Sequence, residues 1–171
     1  MQNSKVKIIN KPLIKSEAKI ILNEIRQSPN ITGYSLHELL NLKTVFKAYV
    51  DDNFVGVCAN FDFEANWTEL SAFIISPKFR GQGIGKKLFS ASWADAISRK
   101  KNIFIVSRNP VMIKILEETD LKILSSFWQL PLAVIIHELI FSISWYRVKE
   151  FIRKLSMKKP GRFVFGIKMA A

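Results

Sequence analysis

Cysteine occurs once, at Cys58, so the chain has no internal disulfide framework and no Cys-x-x-Cys metal site. The residue is expected to be a small buried apolar side chain. Histidine occurs twice, at His37 and His137, each followed by glutamate as though opening the zinc pattern His-Glu-x-x-His. The second ligand position is Asn41 in one case and Phe141 in the other, so no metal is expected. The opening MQNSKVKIIN carries charge and no apolar core of signal-peptide length, which makes a cytoplasmic location the expectation. The main apolar stretch, Leu130 to Tyr146, contains His137 and Glu138 and falls short of the about 20 apolar residues of a spanning helix, so membrane contact is not expected. Repeats and low-complexity linkers are absent. With 171 residues, 49% of them hydrophobic, one domain over residues 1–171 is expected.

Acids are the scarce charge: 14 stand against 26 Lys and Arg, a net +12 that suits an anionic ligand, a nucleic acid or a membrane surface. From Trp145 onward eight basic residues (Arg147, Lys149, Arg153, Lys154, Lys158, Lys159, Arg162, Lys168) accompany one acid, Glu150. This flank reads as a solvated helix side or as a surface for an acidic partner. Phe127, Trp128, Phe141 and Trp145 lie among aliphatic residues at helical spacing, a core pattern rather than a base-stacking one.

Periodicity places a first strand in KVKIINKP, then a helix in SEAKIILNEIRQS capped by Ser16 with Ile20, Ile21 and Ile25 along its apolar stripe. A short helix, Ser35 to Leu42, precedes two strands joined at Asp51-Asp52-Asn53. A strand from Thr68 to Ile75 leads through Pro77 to a helix from Lys86 to Arg99, followed by the strand NIFIVS and a helix beginning at Pro110. A strand near Lys122 to Trp128 precedes an atypical helical segment at about 131–157, read as one long helix, and GRFVFGIKM closes the chain as a strand. The long helix is apolar nearly all round in its first half and amphipathic through Val148, Phe151, Ile152 and Leu155 in its second. A buried helix or an oligomer interface, including a homodimer, would use such faces. The element order indicates an α/β sheet of mixed direction.

Between strand and helix lies SPKFRGQGIGKKLF, with glycine at 81, 83 and 85. Glycines before a helix N-terminus expose amides suited to phosphate. A Walker loop would need glycine at Arg80 and a hydroxyl at Lys87, and a dinucleotide fingerprint would need glycine at Lys86. Neither fits.

The arrangement that remains, Arg80-x-x-Gly83-x-Gly85, resembles the signature of the GCN5-related N-acetyltransferase (GNAT) superfamily at the same strand-to-helix junction. TELSAFIISPKFRGQGIGKKLF and IFIVSRNPVMIKILEETDL are similar to its central strand, turn and helix and to its next strand and helix. The resemblance implies a mixed, mostly antiparallel central sheet with flanking helices, to which the long helix before the last strand is an addition. It implies acetyl-CoA as co-substrate, with Arg80, Gly81, Gln82, Gly83, Ile84, Gly85 and Lys86 around the pyrophosphate. The pantetheine arm would lie where Phe73, Ile74 and Ile75 part from the strand Ile103 to Ser107, with Asn109 beside it or capping the following helix.

The activity implied is N-acetyl transfer to a primary amine in a ternary complex, with Glu69 as candidate base, facing the cleft with Ser71 and Phe73 by strand alternation. The family's usual tyrosine acid falls on Leu116, which leaves Tyr146 or water for that role. The acceptor could be a small molecule, a protein or an aminoacyl-tRNA. A non-catalytic CoA-binding or regulatory module and a basic nucleic-acid-binding protein are the alternatives.

Overall fold

The computed structural model describes residues 5–29, 31, 33–157 and 161–170, so Lys158 and Lys159 of the basic flank lie outside the described residues. Seven strands form one sheet: β1 (Val6–Asn10), β2 (Thr44–Val50), β3 (Asn53–Phe63), β4 (Trp67–Ile75), β5 (Asn102–Ser107), β6 (Lys122–Leu124) and β7 (Val164–Lys168). Their order is β1-β2-β3-β4-β5-β7-β6. Only β4 and β5 run parallel; the other neighbours are antiparallel. The turn between β2 and β3 holds Asp51 at φ 47° and Asp52 at φ 63°, the left-handed pair that matches a two-residue hairpin to strand twist.

Helices α1 (Lys15–Gln27) and α2 (Leu36–Asn41) cover one side of the sheet, packing Ile21, Ile25 and Leu39 against Val45, Val57, Ala72 and Ile74. On the other side α3 (Ile84–Ser98) sets Ile84 and Leu88 against Val55 and Ile75, and α4 (Pro110–Glu117) sets Met112 and Leu116 against Leu70 and Ile103. Cys58 is fully buried, with its thiol pushed up to about 12 by burial, so it behaves as a small core residue.

Several local expectations change. Helix α1 begins at Lys15 rather than after Ser16, because the Glu17 carboxylate reaches back to accept the Ile14 N–H at 3.0 Å and no cap at Ser16 is needed. The stripe keeps Ile21 and Ile25 fully buried but leaves Ile20 at 44% exposure. Glu17 also takes Lys47 Nζ at 2.9 Å and a hydrogen bond from the Tyr49 hydroxyl, tying α1 to β2.

The long helix is two helices, α5 (Leu132–Ser142) and α6 (Trp145–Arg153), parted at Ser144, which is extended at φ −79°, ψ 129°. Continued without a break, the inward row Val134, Glu138, Phe141 would run on to Trp145, Val148 and Ile152. The break turns the phase by about half a turn, so Arg147, Glu150 and Lys154 face inward instead. Arg147 reaches Glu38 at 2.7 Å, and Lys154 Nζ donates to the carbonyls of Ile25 at 2.6 Å and Ile31 at 2.8 Å. Polar anchoring to α1 and α2 overrides the apolar pattern that suggested one helix. The strand expected near Lys122 to Trp128 also shortens, ending at Leu124 before a 3₁₀ turn at Phe127–Gln129.

Burial raises the Glu17 carboxyl, but the Tyr49 hydroxyl, the Ile14 amide and Lys47 outweigh it and hold it below its usual 4.5. Glu17 therefore stabilises the fold fully above pH 4.5, and that contribution disappears as pH falls through the lowered value. Glu17→Ala, which strands Lys47, is expected to cost about 2–3 kcal/mol in urea unfolding at pH 7, with the difference from the parent chain shrinking at acid pH.

Candidate active site

The cleft starts where β4 and β5 separate. Their residues pair from Trp67 with Asn102 to Glu69 with Phe104, and no pair follows. The departure coincides with a bulge: Ala72 has φ 48°, and the register of β4 against β3 slips between Val57 and Ala59. Beyond Glu69 the β4 edge facing β5 is free of strand pairing, as is the facing edge of β5. Between them opens a cavity of about 640 Å³, bordered by residues 69–75, Ile105 to Ser107, the glycine turn, Met112 and Ile115 of α4, Tyr34, and Glu138 and Phe141 of α5.

The bulge also corrects the strand alternation. Glu69 and Ser71 share a face as expected, but Phe73 does not join them. One extra residue at the bulge sends Phe73 to the α3 side, where it packs with the Ile84–Leu88 cluster.

At the glycine turn each glycine has a separate reason. Gly81 and Gly83 have φ 76° and 75°, in the left-handed region, and a Cβ at either would meet nothing within 4 Å. A Cβ on Gly85 would come to 3.5 Å from the Phe73 ring. Gly83 is the N-cap of α3 and supplies no side chain, so the first-turn amides of that helix are left for a ligand. Arg80 Nε donates to the Ile75 carbonyl at 2.8 Å, closing the turn onto the end of β4. Gly81, Gly83, Gly85 and Lys86 border the cavity, whereas Gln82 donates from its side-chain amide to the Lys78 carbonyl and Ile84 is buried core. The Lys86 ammonium is taken by Glu118 at 2.5 Å, leaving its backbone as the part that could serve a phosphate. Asn109 caps α4, its Oδ1 accepting from Val111 N–H at 3.0 Å, and also borders the cavity.

At the closed end, α5 brings three groups together. Glu69 is buried and its Oε2 lies 3.1 Å from His137 Nε2, the distance of a hydrogen bond that the imidazole donates in its Nε2-protonated tautomer. The ring is stacked on Phe63 at 3.8 Å and 11°. Glu138 stands beside them, with donor atoms of Glu69, His137 and Glu138 all within 4.8 Å. Burial first, and then Glu69, push the Glu138 carboxyl up to about 7, against the opposing pull of His137 and Arg147. Two carboxylates and an imidazole at this spacing can hold a cation, either a metal ion or an ammonium.

Tyr146 lies elsewhere. Its ring is near Gly33 and its hydroxyl near Arg26, and it does not border the cleft. Tyr34 does: it is buried in the cleft wall with its pKa raised by burial and by Glu69, so it keeps its proton. Leu116, at the position where a tyrosine acid was sought, is fully buried core. Sequence reasoning missed Tyr34, His137 and Glu138. For the last two a signal existed: a His-Glu pair inside an apolar run must find partners once buried. Testing it only as a helix-borne zinc motif overlooked a partner supplied by β4.

The fold is that of acetyltransferases of known structure. Residues 41–120, a little under half of the chain, match the acetyltransferase (GNAT) domain family. N-acetylglutamate synthase from Neisseria gonorrhoeae, solved with coenzyme A and N-acetyl-glutamate, superposes with TM-score 0.69 at 15% identity, covering 97% of this chain. This chain spans only 36% of that synthase. Ard1 from Thermoplasma volcanium gives TM-score 0.63 at 11% identity, over 97% of this chain and 98% of its own. IAA acetyltransferase from Bacillus cereus gives 0.61 at 13%, over 98% and 100%. At these identities the likeness establishes the fold. No protein of curated function matches the sequence.

Replacing Gly83 by alanine puts a side chain into open space but in the left-handed N-cap, a conformation the glycine turn needs in order to present its amides. Gly83→Ala is expected to weaken CoA binding about tenfold in calorimetry, the left-handed strain alone amounting to roughly 1–2 kcal/mol.

Proposed function

We infer that the chain transfers acetyl from acetyl-CoA to a primary amine by direct attack in a ternary complex. The observation that carries this reading is the fork of β4 and β5, with glycine-turn amides at one end and the Glu69–Glu138 pair at the other. Diphosphate suits the amides, pantetheine amides suit the unpaired strand edges, and an incoming ammonium suits the carboxylates. Glu69, pinned by His137, anchors the ammonium, and Glu138, with a pKa about 7, takes its proton. The neutral nitrogen then attacks the thioester carbonyl, the C–S bond breaks, and the proton that the new amide nitrogen sheds goes to the departing thiolate, whose conjugate acid has a pKa of about 8.5. Tyr34 rather than Tyr146 is the hydroxyl placed to donate a hydrogen bond in the cleft.

The acceptor end narrows the acceptor class. Glu24, Glu69 and Glu138 border the cavity together with Ile31 and Phe141, so the pocket favours an amine on an apolar arm and disfavours an acidic group beside the nitrogen. This weighs against the acidic acceptor suggested by the basic flank.

With Glu138 as base, kcat/KM rises as pH increases through about 7 and then levels. Glu138→Gln is expected to abolish that rise and lower kcat on the order of a hundredfold, whereas Glu69→Gln is expected mainly to raise the KM for the amine. Steady-state CoA release over a panel of aralkyl and alkyl amines checks this. CoA binding with no release across the panel would instead mark a non-catalytic binding module.

A further inference from the structure

Helix α6 is inside out, and α5 is apolar on its inward and its outward side. On α6 the residues facing the protein are Arg147, Glu150 and Lys154, each buried, while Trp145, Val148, Ile152 and Leu155 are exposed at 71%, 40%, 60% and 57%. On α5 the inward side carries Val134, His137 and Glu138, and the outward row Leu132, Ile136, Leu139, Ile140 and Ile143 is exposed by 43% to 78%. A surface helix ordinarily turns its apolar row to the core. Here α6 turns its apolar row away from the core and α5, apolar on both sides, exposes a second row, while Trp128, in the turn just before α5, is 81% exposed. Apolar exposure on this scale marks a surface made to be covered.

We propose that this face docks on a bilayer surface carrying anionic headgroups, with α5 and α6 lying in the interface plane. Charge selects this occupant. The only acids after Asp120 are Glu138, which faces the cleft, and Glu150, which is buried with Arg153 at 2.6 Å, so no exposed carboxylate among the described residues of the segment repels an anionic surface. Lys149, Arg153 and Arg162 are exposed beside the apolar rows, within a chain of net charge +12. A second copy would bring a like-charged basic flank against this one, and an anionic surface would neutralise it. Trp128 and Trp145 flank α5 in the chain, with Lys149 Nζ 5.4 Å from the Trp145 ring centre, a pairing of indole and cation suited to the headgroup layer.

No helix of the described residues is long and apolar enough to cross a membrane, so the contact is one of lying on the surface. This departs from the sequence expectation of no membrane contact. That expectation rested on a run, Leu130 to Tyr146, too short and polar to span, and on a buried helix or an oligomer interface as the use of its faces.

The test is co-sedimentation of the full chain with vesicles of phosphatidylcholine alone and of phosphatidylcholine with roughly one third phosphatidylglycerol. Binding to the anionic vesicles, weakened by salt and accompanied by a blue shift of tryptophan emission, is expected. The double variant Ile140→Gln/Ile152→Gln alters two exposed side chains, and is expected to keep CoA binding while lowering vesicle partition about tenfold. No partition of the parent chain at low salt, or equal partition by the variant, would overturn the proposal. So would a dimer in sedimentation velocity that the double variant dissociates, because a second copy would then be the cover.

Discussion

The bulge at Ala72 is the constraint on which the other features of the site depend. A left-handed φ in a non-glycine residue within a strand costs on the order of 1–3 kcal/mol and persists only where surrounding structure over-determines it. Packing on both faces of β4 does so, with Ala72 and Ile74 held by α1 and α2, and Leu70 and Phe73 by α3 and α4. In return, β4 leaves β5 immediately after Glu69. The fork leaves strand-edge amides and carbonyls without a strand neighbour, and buried backbone groups require partners. An extended amide-bearing arm such as the pantetheine of the proposed co-substrate would supply them, acting as a substitute strand.

Glu69 sits at the last paired position, so the acceptor end of the cleft and the end of strand pairing coincide. Closing that end needs a lid that tolerates a buried carboxylate. Helix α5 provides it through His137, which is wedged on Phe63 and hydrogen-bonded to Glu69, and through Glu138, whose carboxyl is raised to about 7 by burial and then by the Glu69 charge. The lid is held by polar contacts: Arg147 on Glu38 and over the Phe141 ring at 3.5 Å, and Lys154 on the carbonyls at the end of α1. Burial lowers the Lys154 ammonium to about 8, against the opposing pull of Glu150, whose carboxylate lies 4.0 Å away. Because these anchors occupy the inward side of α6, its apolar row has nowhere to go but out.

Much of this was legible in the residues themselves. Strands and helices around the glycine turn follow from local periodicity, and the spacing Arg80-x-x-Gly83-x-Gly85 excludes other phosphate loops because backbone φ and amide access depend only on which residue lacks a Cβ. Glu69 was visible as a carboxylate on the central strand. Tyr34 and Glu138 were not, since their meeting with Glu69 depends on separations of tens of residues that no local period encodes.

What the sequence by itself determined is therefore the donor end: a strand, a left-handed glycine turn and a helix N-terminus are local objects, specified by residues within about one turn of each other. Tertiary structure alone decided the acceptor end and the outer face. A one-residue bulge reverses the side of Phe73, and a two-residue break between α5 and α6 reverses which side of a helix is inward. Both are phase changes, set by the long-range contacts of Ala72, Arg147 and Lys154, and a pattern read along the chain keeps its phase until something distant moves it.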